Sequence, residues 1–514
     1  MTATSRPEAG GQPRAIEDIY PLTALQQGML FHSQLAPGSG MYWVQNALLI
    51  EGRLDLDAFV RAWELLFARH PVLRSTVVSE GVPAPLSVVS RSVPLPLEML
   101  DWRDLDEADQ TAAVEELIER DRARGADFDR QTLARIALIR LGEERHQLVL
   151  GYHHLVLDGW SVSILLSELV DAYHSYRTGT QPRLPHRRPF HDYVAWLGGR
   201  DEREAEAYWR ERLRGIGAAT SLGVDRHTGE QGYRTHRVRL SPEATAALTE
   251  VARRHRLTLN TVVQGAWALT LSTYSGDDDV VFGVTTSGRT EELDGVESMV
   301  GLLINTMPTR IRVDGDLPLA EWLSRLQADH VTARRYEHTP LLKVQAWSEV
   351  PAGRPLFNSL FVFENIPAGA PRDSRDVPPA DDIRLSDNLS REQANYPLTV
   401  IASPGRQLTV SLTYDRGRFD VSAVERLSGH LVGLLGVVAA DPGLRLSEVS
   451  SLGEEEWRRT VREWNATEAP VPAVGGVHEL FVQRVAGCPE ATAVVSGGMS
   501  LTYGELEVRA NRLA

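Results

Sequence analysis

The sequence predicts an α/β fold in which helices pack on sheets. Three observations predict it. Apolar runs of strand length pair across a short polar turn, a following segment has one apolar helical face, and strand and helix patterns alternate as far as about residue 452.

Regular patterning begins at Ile16. Leu133–Leu141 (LARIALIRL) and His146–His154 (HQLVLGYHH) read as strands, and Gly142–Arg145 (GEER) between them makes a hairpin. From Val162 the apolar residues are Val162, Leu165, Leu166, Leu169, Val170 and Tyr173, one face of a helix. Ser161 is placed to cap that helix. Asn260–Tyr274 and Leu317–Arg335 read as helices, and Val280–Thr286 (VVFGVTT) and Thr409–Tyr414 (TVSLTY) as strands. Three stretches rich in proline, glycine or charge read as loops: Thr178–Pro189, Ile366–Asn388 and Trp464–Gly476.

Length and composition bound the rest. At roughly 150 residues per domain, 514 residues make about three domain-sized units. A hydrophobic fraction of 42% and a charged fraction of 24% exclude disordered and fibrous classes for most of the chain. The net charge of −15 disfavours non-specific nucleic-acid binding. A single cysteine, Cys488, excludes an internal disulfide framework and a multi-cysteine zinc site. It fits a reducing compartment, and the expected location is the cytoplasm. The N-terminal twenty residues have no apolar core of the kind a secretory signal carries. The longest apolar run, Leu431–Ala440, is about half the roughly 20 residues a membrane span requires.

One segment carries chemistry: Tyr152-His153-His154-Leu155-Val156-Leu157-Asp158-Gly159-Trp160-Ser161. It joins a strand end to a helix start. Strand side chains alternate, so His153 and His154 face opposite sides. One histidine is therefore expected to be packed and the other available. Gly159 allows a backbone conformation or an approach that a Cβ would block. Three readings are open on chemistry alone. The first is two core histidines with a helix-capping Asp158. A metal site is the second, although opposed histidines chelate poorly and no third ligand lies nearby in sequence. The third is a general base or electrostatic element in acyl transfer.

The string HHLVLDG fits the HHxxxDG signature, and with it the chain resembles the condensation domains of nonribosomal peptide synthetases. Six further segments resemble that family's motifs in family order. They are Tyr20–Leu35 (YPLTALQQGMLFHSQL), Arg69–Ser75 (RHPVLRS), Phe190–Trp196 (FHDYVAW), Val300–Arg310 (VGLLINTMPTR), Tyr336–Leu341 (YEHTPL) and Pro355–Phe363 (PLFNSLFVF). Trp464–Thr467 (WNAT) is similar to the linker that follows such domains, and Leu501–Ala514 (LTYGELEVRANRLA) to the first core motif of an adenylation domain.

The resemblance implies two chloramphenicol-acetyltransferase-like lobes in a V-shaped pseudo-dimer with a central tunnel. It divides the chain into a flexible leader (1–15), an N-terminal lobe (16–180), a C-terminal lobe (181–455), a linker (456–476) and a truncated adenylation start (477–514). The implied reaction is peptide-bond formation between a donor acyl or peptidyl thioester and an acceptor aminoacyl thioester, a step of antibiotic or siderophore assembly. Carrier proteins bring 4'-phosphopantetheine, and neither cofactor nor metal is expected in this chain. The donor carrier is expected on another polypeptide, with residues 1–15 helping it dock, and the acceptor carrier downstream. His154 is implied as the key polar group and His153 as structural. Asp158 is implied to hold the loop through Arg289, with Arg69 and Arg74 as alternative partners. Gly159 leaves room for substrate. Trp160, Asn305, Thr306, Asn358 and Ser359 are candidate tunnel residues, and Arg183, Arg187 and Arg188 read as a solvated linker more than as a carrier contact. Epimerisation and a non-catalytic carrier-recruiting platform are the alternatives on the same scaffold.

Overall fold

The computed structural model describes residues 15–129, 132–313, 315–364, 383–469 and 475–514. The leader 1–14, residues 366–382 of the second loop and 470–474 of the third lie outside the described residues. The chain forms two compact units, Met1–Ser451 and Leu452–Ala514.

The first half of unit 1 runs β1 (Ile16–Pro21), α1 (Ala24–Leu35), β2 (Trp43–Glu51), α2 (Leu56–Arg69), β3 (Ser75–Val78), β4 (Leu86–Ser90), β5 (Leu97–Asp101), α3 (Glu107–Arg124), β6 (Ala134–Arg140), β7 (Arg145–His153) and α4 (Gly159–Arg177). The second half runs α5 (Phe190–Gly198), α6 (Arg203–Arg212), β8 (Tyr233–Arg239), α7 (Pro242–Arg254), α8 (Leu259–Ser275), β9 (Asp279–Thr286), β10 (Asn305–Arg312), α9 (Leu319–Arg334), α10 (Leu341–Trp347), β11 (Ser359–Phe363), β12 (Arg384–Arg391), β13 (Leu398–Ser403), β14 (Thr409–Asp415) and α11 (Val421–Ala440).

The principal sheet of the first half has the order β12-β2-β7-β6-β5, and that of the second half β10-β9-β11-β13-β14-β8. A small sheet, β1-β4-β3, flanks the first. The predicted hairpin is β6 and β7, antiparallel from Ala134↔Tyr152 to Arg140↔His146. In β7 every residue from His146 to His153 is buried, because sheet neighbours lie on both sides and side chains pack on both faces.

Strand β12 corrects the sequence reading. Residues 384–388 belong to a stretch expected to be loop, yet they are strand, added to the edge of the first sheet against β2 from Arg384↔Glu51 to Arg391↔Gln45. Polar, asparagine-containing sequence becomes strand here because an open edge far away in the chain supplies the hydrogen-bond partners. Packing crosses between the halves as well. Phe190, Tyr193, Met299, Leu303 and Leu385 join the core built on β2, β7, α2 and α4.

Helix α11 extends the apolar run to 20 residues, which is long and apolar enough to cross a membrane by length and composition. The sequence pattern puts the run at half that, because Glu425, Arg426 and His430 interrupt it. In this fold α11 buries Val424, Leu427, Leu431 and Leu435 against the second core.

The RHPVLRS segment ties α2 to α4. Glu168, 1% exposed, accepts hydrogen bonds from Arg69 (3.1 Å) and Arg187 (2.8 Å) and lies 2.7 Å from His70 Nε2. Burial pushes the Glu168 carboxyl up, but the His70 and Arg187 hydrogen bonds outweigh it and hold it down at about 2. A depressed folded value stabilises fully above the unfolded value of about 4.5 and is lost as pH falls from there towards 2. Glu168→Gln is therefore expected to flatten unfolding free energy against pH in that window. An unchanged slope in denaturant titrations across it would contradict the assignment.

In unit 2, α12 (Glu454–Trp457) is followed by α13 (Val477–Gly487), the hairpin β15 (Thr492–Ser496) and β16 (Met499–Thr502), and α14 (Tyr503–Leu513). Thr502 caps α14 through a reciprocal pair with Glu505.

Candidate active site

Strand β7 ends at His153, and His154 opens the turn into α4. The two rings have different surroundings. The backbone N–H of Leu155 donates to His153 Nδ1 at 3.1 Å, so that nitrogen is an acceptor. Nε2 then carries the proton and donates to Ser33 Oγ at 3.0 Å. Burial, and secondarily the neighbouring His154, push His153 down to about 3. It is a neutral core histidine, edge-on to Phe128.

His154 is 6% exposed. Its Nδ1 lies 2.9 Å from the carbonyl oxygen of Leu157, an acceptor only, so Nδ1–H donates. Its Nε2 lies 3.0 Å from Glu392 Oε1. Burial works to lower the imidazole pKa, but the Glu392 carboxylate and the Leu157 carbonyl prevail and hold it above the ordinary value. Glu392 is in turn held below its ordinary value despite burial.

Asp158 is fully buried and caps α4, accepting from Ser161 N at 2.8 Å. The sequence offers the cap to either Asp158 or Ser161. Both residue types cap well, but Asp158 stands three positions before the N–H that needs an acceptor. Ser161 Oγ exchanges hydrogen bonds with the backbone of Gly301 (2.8 and 3.0 Å). Arg289 meets Asp158 in a bidentate pair at 2.9 and 3.1 Å, and Leu303 N donates to the same carboxylate at 3.0 Å. Burial pushes the Asp158 carboxyl up, and Arg289 more than reverses it. The helix cap and the Asp–Arg pair, alternatives on the sequence, are one carboxylate doing both. Arg289 also lies 5.0 Å from the Trp160 ring centroid, and Trp160 Nε1 donates to Glu297 O.

Gly288 sets the entry to Arg289. Its φ is +62°, and an added Cβ would lie 1.7 Å from the Leu303 carbonyl oxygen. Gly288→Ala is expected to destabilise by about 2 kcal/mol or more, from left-handed strain plus the clash. A urea midpoint equal to that of the parent would contradict this. Gly159 has a φ outside the left-handed region, and a Cβ there meets nothing within 4 Å, so of the two expected reasons for glycine the one that remains is the open space beside the turn.

Other expected residues lie elsewhere. Arg69 is engaged with Glu168 and Pro185, and Arg74 with Glu17 (2.6 Å), Phe67 O and Ser90 O, so neither is the partner of Asp158. The Asn305 amide donates to the carbonyls of Glu337 and Thr339, 2.8 Å each, and holds that loop. Thr306 is buried in β10 opposite Thr285. Asn358 is half-buried before β11, and Ser359 is buried at its start. Arg187 and Arg188 pair with Glu168 and Asp192, while Arg183 is exposed.

Two functional positions escape the sequence reading. Gln26, inside the YPLTALQQ segment, donates to Leu155 O at 2.7 Å and so props the His154 turn. Glu392, just past β12, has no local signal at all. Its side chain is 41% exposed, so the carboxylate beside the buried His154 ring is open to water.

A family model described as "Condensation domain" matches residues 16–460. Three linear gramicidin synthase subunits of Brevibacillus parabrevis are similar to the chain. With one it shares 42% identity over 510 residues, covering 98% of this chain and 6% of that protein. Against the other two it is 42% and 40% identical and spans 10% of their length. Among solved structures it is similar to the four-domain nonribosomal peptide synthetase holo-AB3403 (TM-score 0.75, 17% identity, 98% of this chain and 40% of that one). It is also similar to the first condensation domain of the calcium-dependent antibiotic synthetase (TM-score 0.72, 22% identity, 85% and 99%). The mixed α/β architecture is the two-lobed fold of those structures.

Proposed function

The chain belongs to the condensation-domain family of nonribosomal peptide synthetases, and from that premise we propose that it forms an amide between two carrier-bound thioesters. The α-amine of the acceptor attacks the donor thioester carbonyl, the C–N bond forms, the C–S bond breaks, and the donor carrier's thiol leaves. The observation that carries this reading is the His154 turn. An imidazole fixed at Nδ1 by Leu157 turns Nε2 towards Glu392, whose carboxylate is open to water.

A thioester is already activated, so the protein has mainly to hold both ends together. Such positioning supplies roughly 7–11 kcal/mol in favourable cases. Asp158, Arg289, Gln26 and Ser161 hold the turn, and His154 meets the amine or the tetrahedral intermediate. Neutral His153 is packing. Phosphopantetheine arms on the two carriers deliver both thioesters, and Gly159 leaves open space beside the turn.

Unit 2 is read as the start of an adenylation domain. In support, its LTYGELEVRANRLA segment folds as a strand leading into a capped helix. Val495, Met499 and Leu513 are 71%, 75% and 90% exposed, apolar surface suited to cover by more of a larger domain.

A soluble surrogate tests the reaction. Incubation with a donor peptidyl carrier and an aminoacyl N-acetylcysteamine thioester is expected to release the extended thioester, detectable by liquid chromatography. Donor hydrolysis without coupling, across several acceptor amino acids, would overturn the reading.

A further inference from the structure

Glu392 pairs only with His154 among the described residues, by one oxygen. Because Leu157 O requires a proton on Nδ1, two bare lone pairs would face each other at 3.0 Å unless one more proton lay between Nε2 and Oε1. The ring therefore carries both N–H protons, and the pair is an imidazolium beside a carboxylate. The second carboxylate oxygen makes no hydrogen bond among the described residues, and 41% of the side chain is reachable by water. The cationic neighbours are engaged elsewhere, Arg391 with Glu119 and Arg122 with Gln393 Oε1.

Two aromatic side chains lie near the carboxylate. Tyr152 is edge-on to His154, and Tyr42 donates to Asn395 Oδ1 at 2.8 Å. Both phenols lie close enough to Glu392 for its charge to oppose their ionisation. With one oxygen on His154, the second, water-facing carboxylate oxygen beside aromatic rings, with no arginine or lysine paired to it, is a site for a small cation. The amine of an aminoacyl thioester is such a cation when protonated.

Resting on the condensation reading, we propose that Glu392 is the acceptor-recognition residue, its carboxylate receiving the α-ammonium of the aminoacyl thioester beside His154. Specificity then follows from chemistry. A free α-amine binds, whereas an N-acylated or α-hydroxy acceptor lacks the charge the site is built for.

Binding to the full chain tests this by calorimetry. The probes are glycyl-pantetheine with an amide in place of the thioester, and its glycolyl counterpart, hydroxyl in place of ammonium. The parent is expected to prefer the ammonium probe about tenfold or more, the contribution of a hydrogen bond to a charged group. Glu392→Gln is expected to abolish the preference and Glu392→Asp to retain part of it, each with an unchanged melting temperature. A residue that only props His154 would weaken both probes alike. Persistence of the preference in Glu392→Gln, equal binding by the parent, or binding of neither probe would overturn the proposal. The readout involves no turnover. A retained ammonium preference alongside failed coupling of loaded carriers would sink the reaction and leave the site. Coupling by Glu392→Gln with unchanged acceptor KM would do the reverse.

Discussion

His154→Ala is expected to lower the rate of amide formation by roughly 10²–10⁴-fold, the range a positioned proton-transfer group supplies. The fold is expected to survive. The substitution leaves the Leu157 carbonyl and Glu392 without the ring, but Glu392 already reaches water. Its loss of partner is therefore far less costly than stranding a dry charge. The fully neutral His153 beside it gives a built-in control. His153→Ala removes the Ser33 and Leu155 contacts and a buried ring, so it is expected to reduce stability more than chemistry. Melting temperatures together with single-turnover rates separate the two. A His154→Ala protein that folds and couples at the parental rate would remove this imidazole from the mechanism.

Asp158→Ala carries the largest expected effect on stability, a loss of about 3–5 kcal/mol. Removing the carboxylate leaves Arg289, whose side chain is 2% exposed, with only neutral acceptors. It also strips α4 of its cap and Leu303 N of its acceptor. Arg289→Ala is expected to cost a similar amount, and the double variant clearly less than the two together, because both singles strand the same buried charge pair. Guanidinium titrations at neutral pH read all three. Single losses below about 1 kcal/mol, or full additivity, would mean the pair is not what holds the turn. Coupling should fall along with stability, since a displacement of about 1 Å at a reacting centre costs on the order of 10²-fold.

What the sequence could reveal was set by how local each interaction is. The β6–β7 hairpin, the His-His turn and α4 are contiguous, and alternation, turn residues and 3.6-residue periodicity announce them. The Asp158–Arg289 pair spans 131 positions and is accessible only through the family resemblance, which implies Arg289 as the partner. Capping stays ambiguous in the sequence because Asp158 and Ser161 are both good cap residues, and the side-chain oxygen three positions before the open N–H takes the role. Glu392 was invisible. It reaches His154 across 238 positions because β12 crosses onto the first sheet, and in that strand (RLSDNLSR) two leucines four apart among polar residues make no apolar alternation to betray it. Asn305 shows the converse. A polar residue at a strand end looks available, yet its amide is fully taken by two carbonyls.

Coupling itself remains the most direct measurement. A donor peptidyl carrier and an acceptor aminoacyl carrier would be mixed with the full chain and followed by intact-protein mass spectrometry. Amide-forming condensation predicts that the acceptor carrier gains the mass of the donor acyl group while the donor carrier returns to its free thiol form. An unchanged acceptor mass across several donor–acceptor pairs, with both carriers still bound, would contradict it and point to a platform that recruits carriers without joining their cargo.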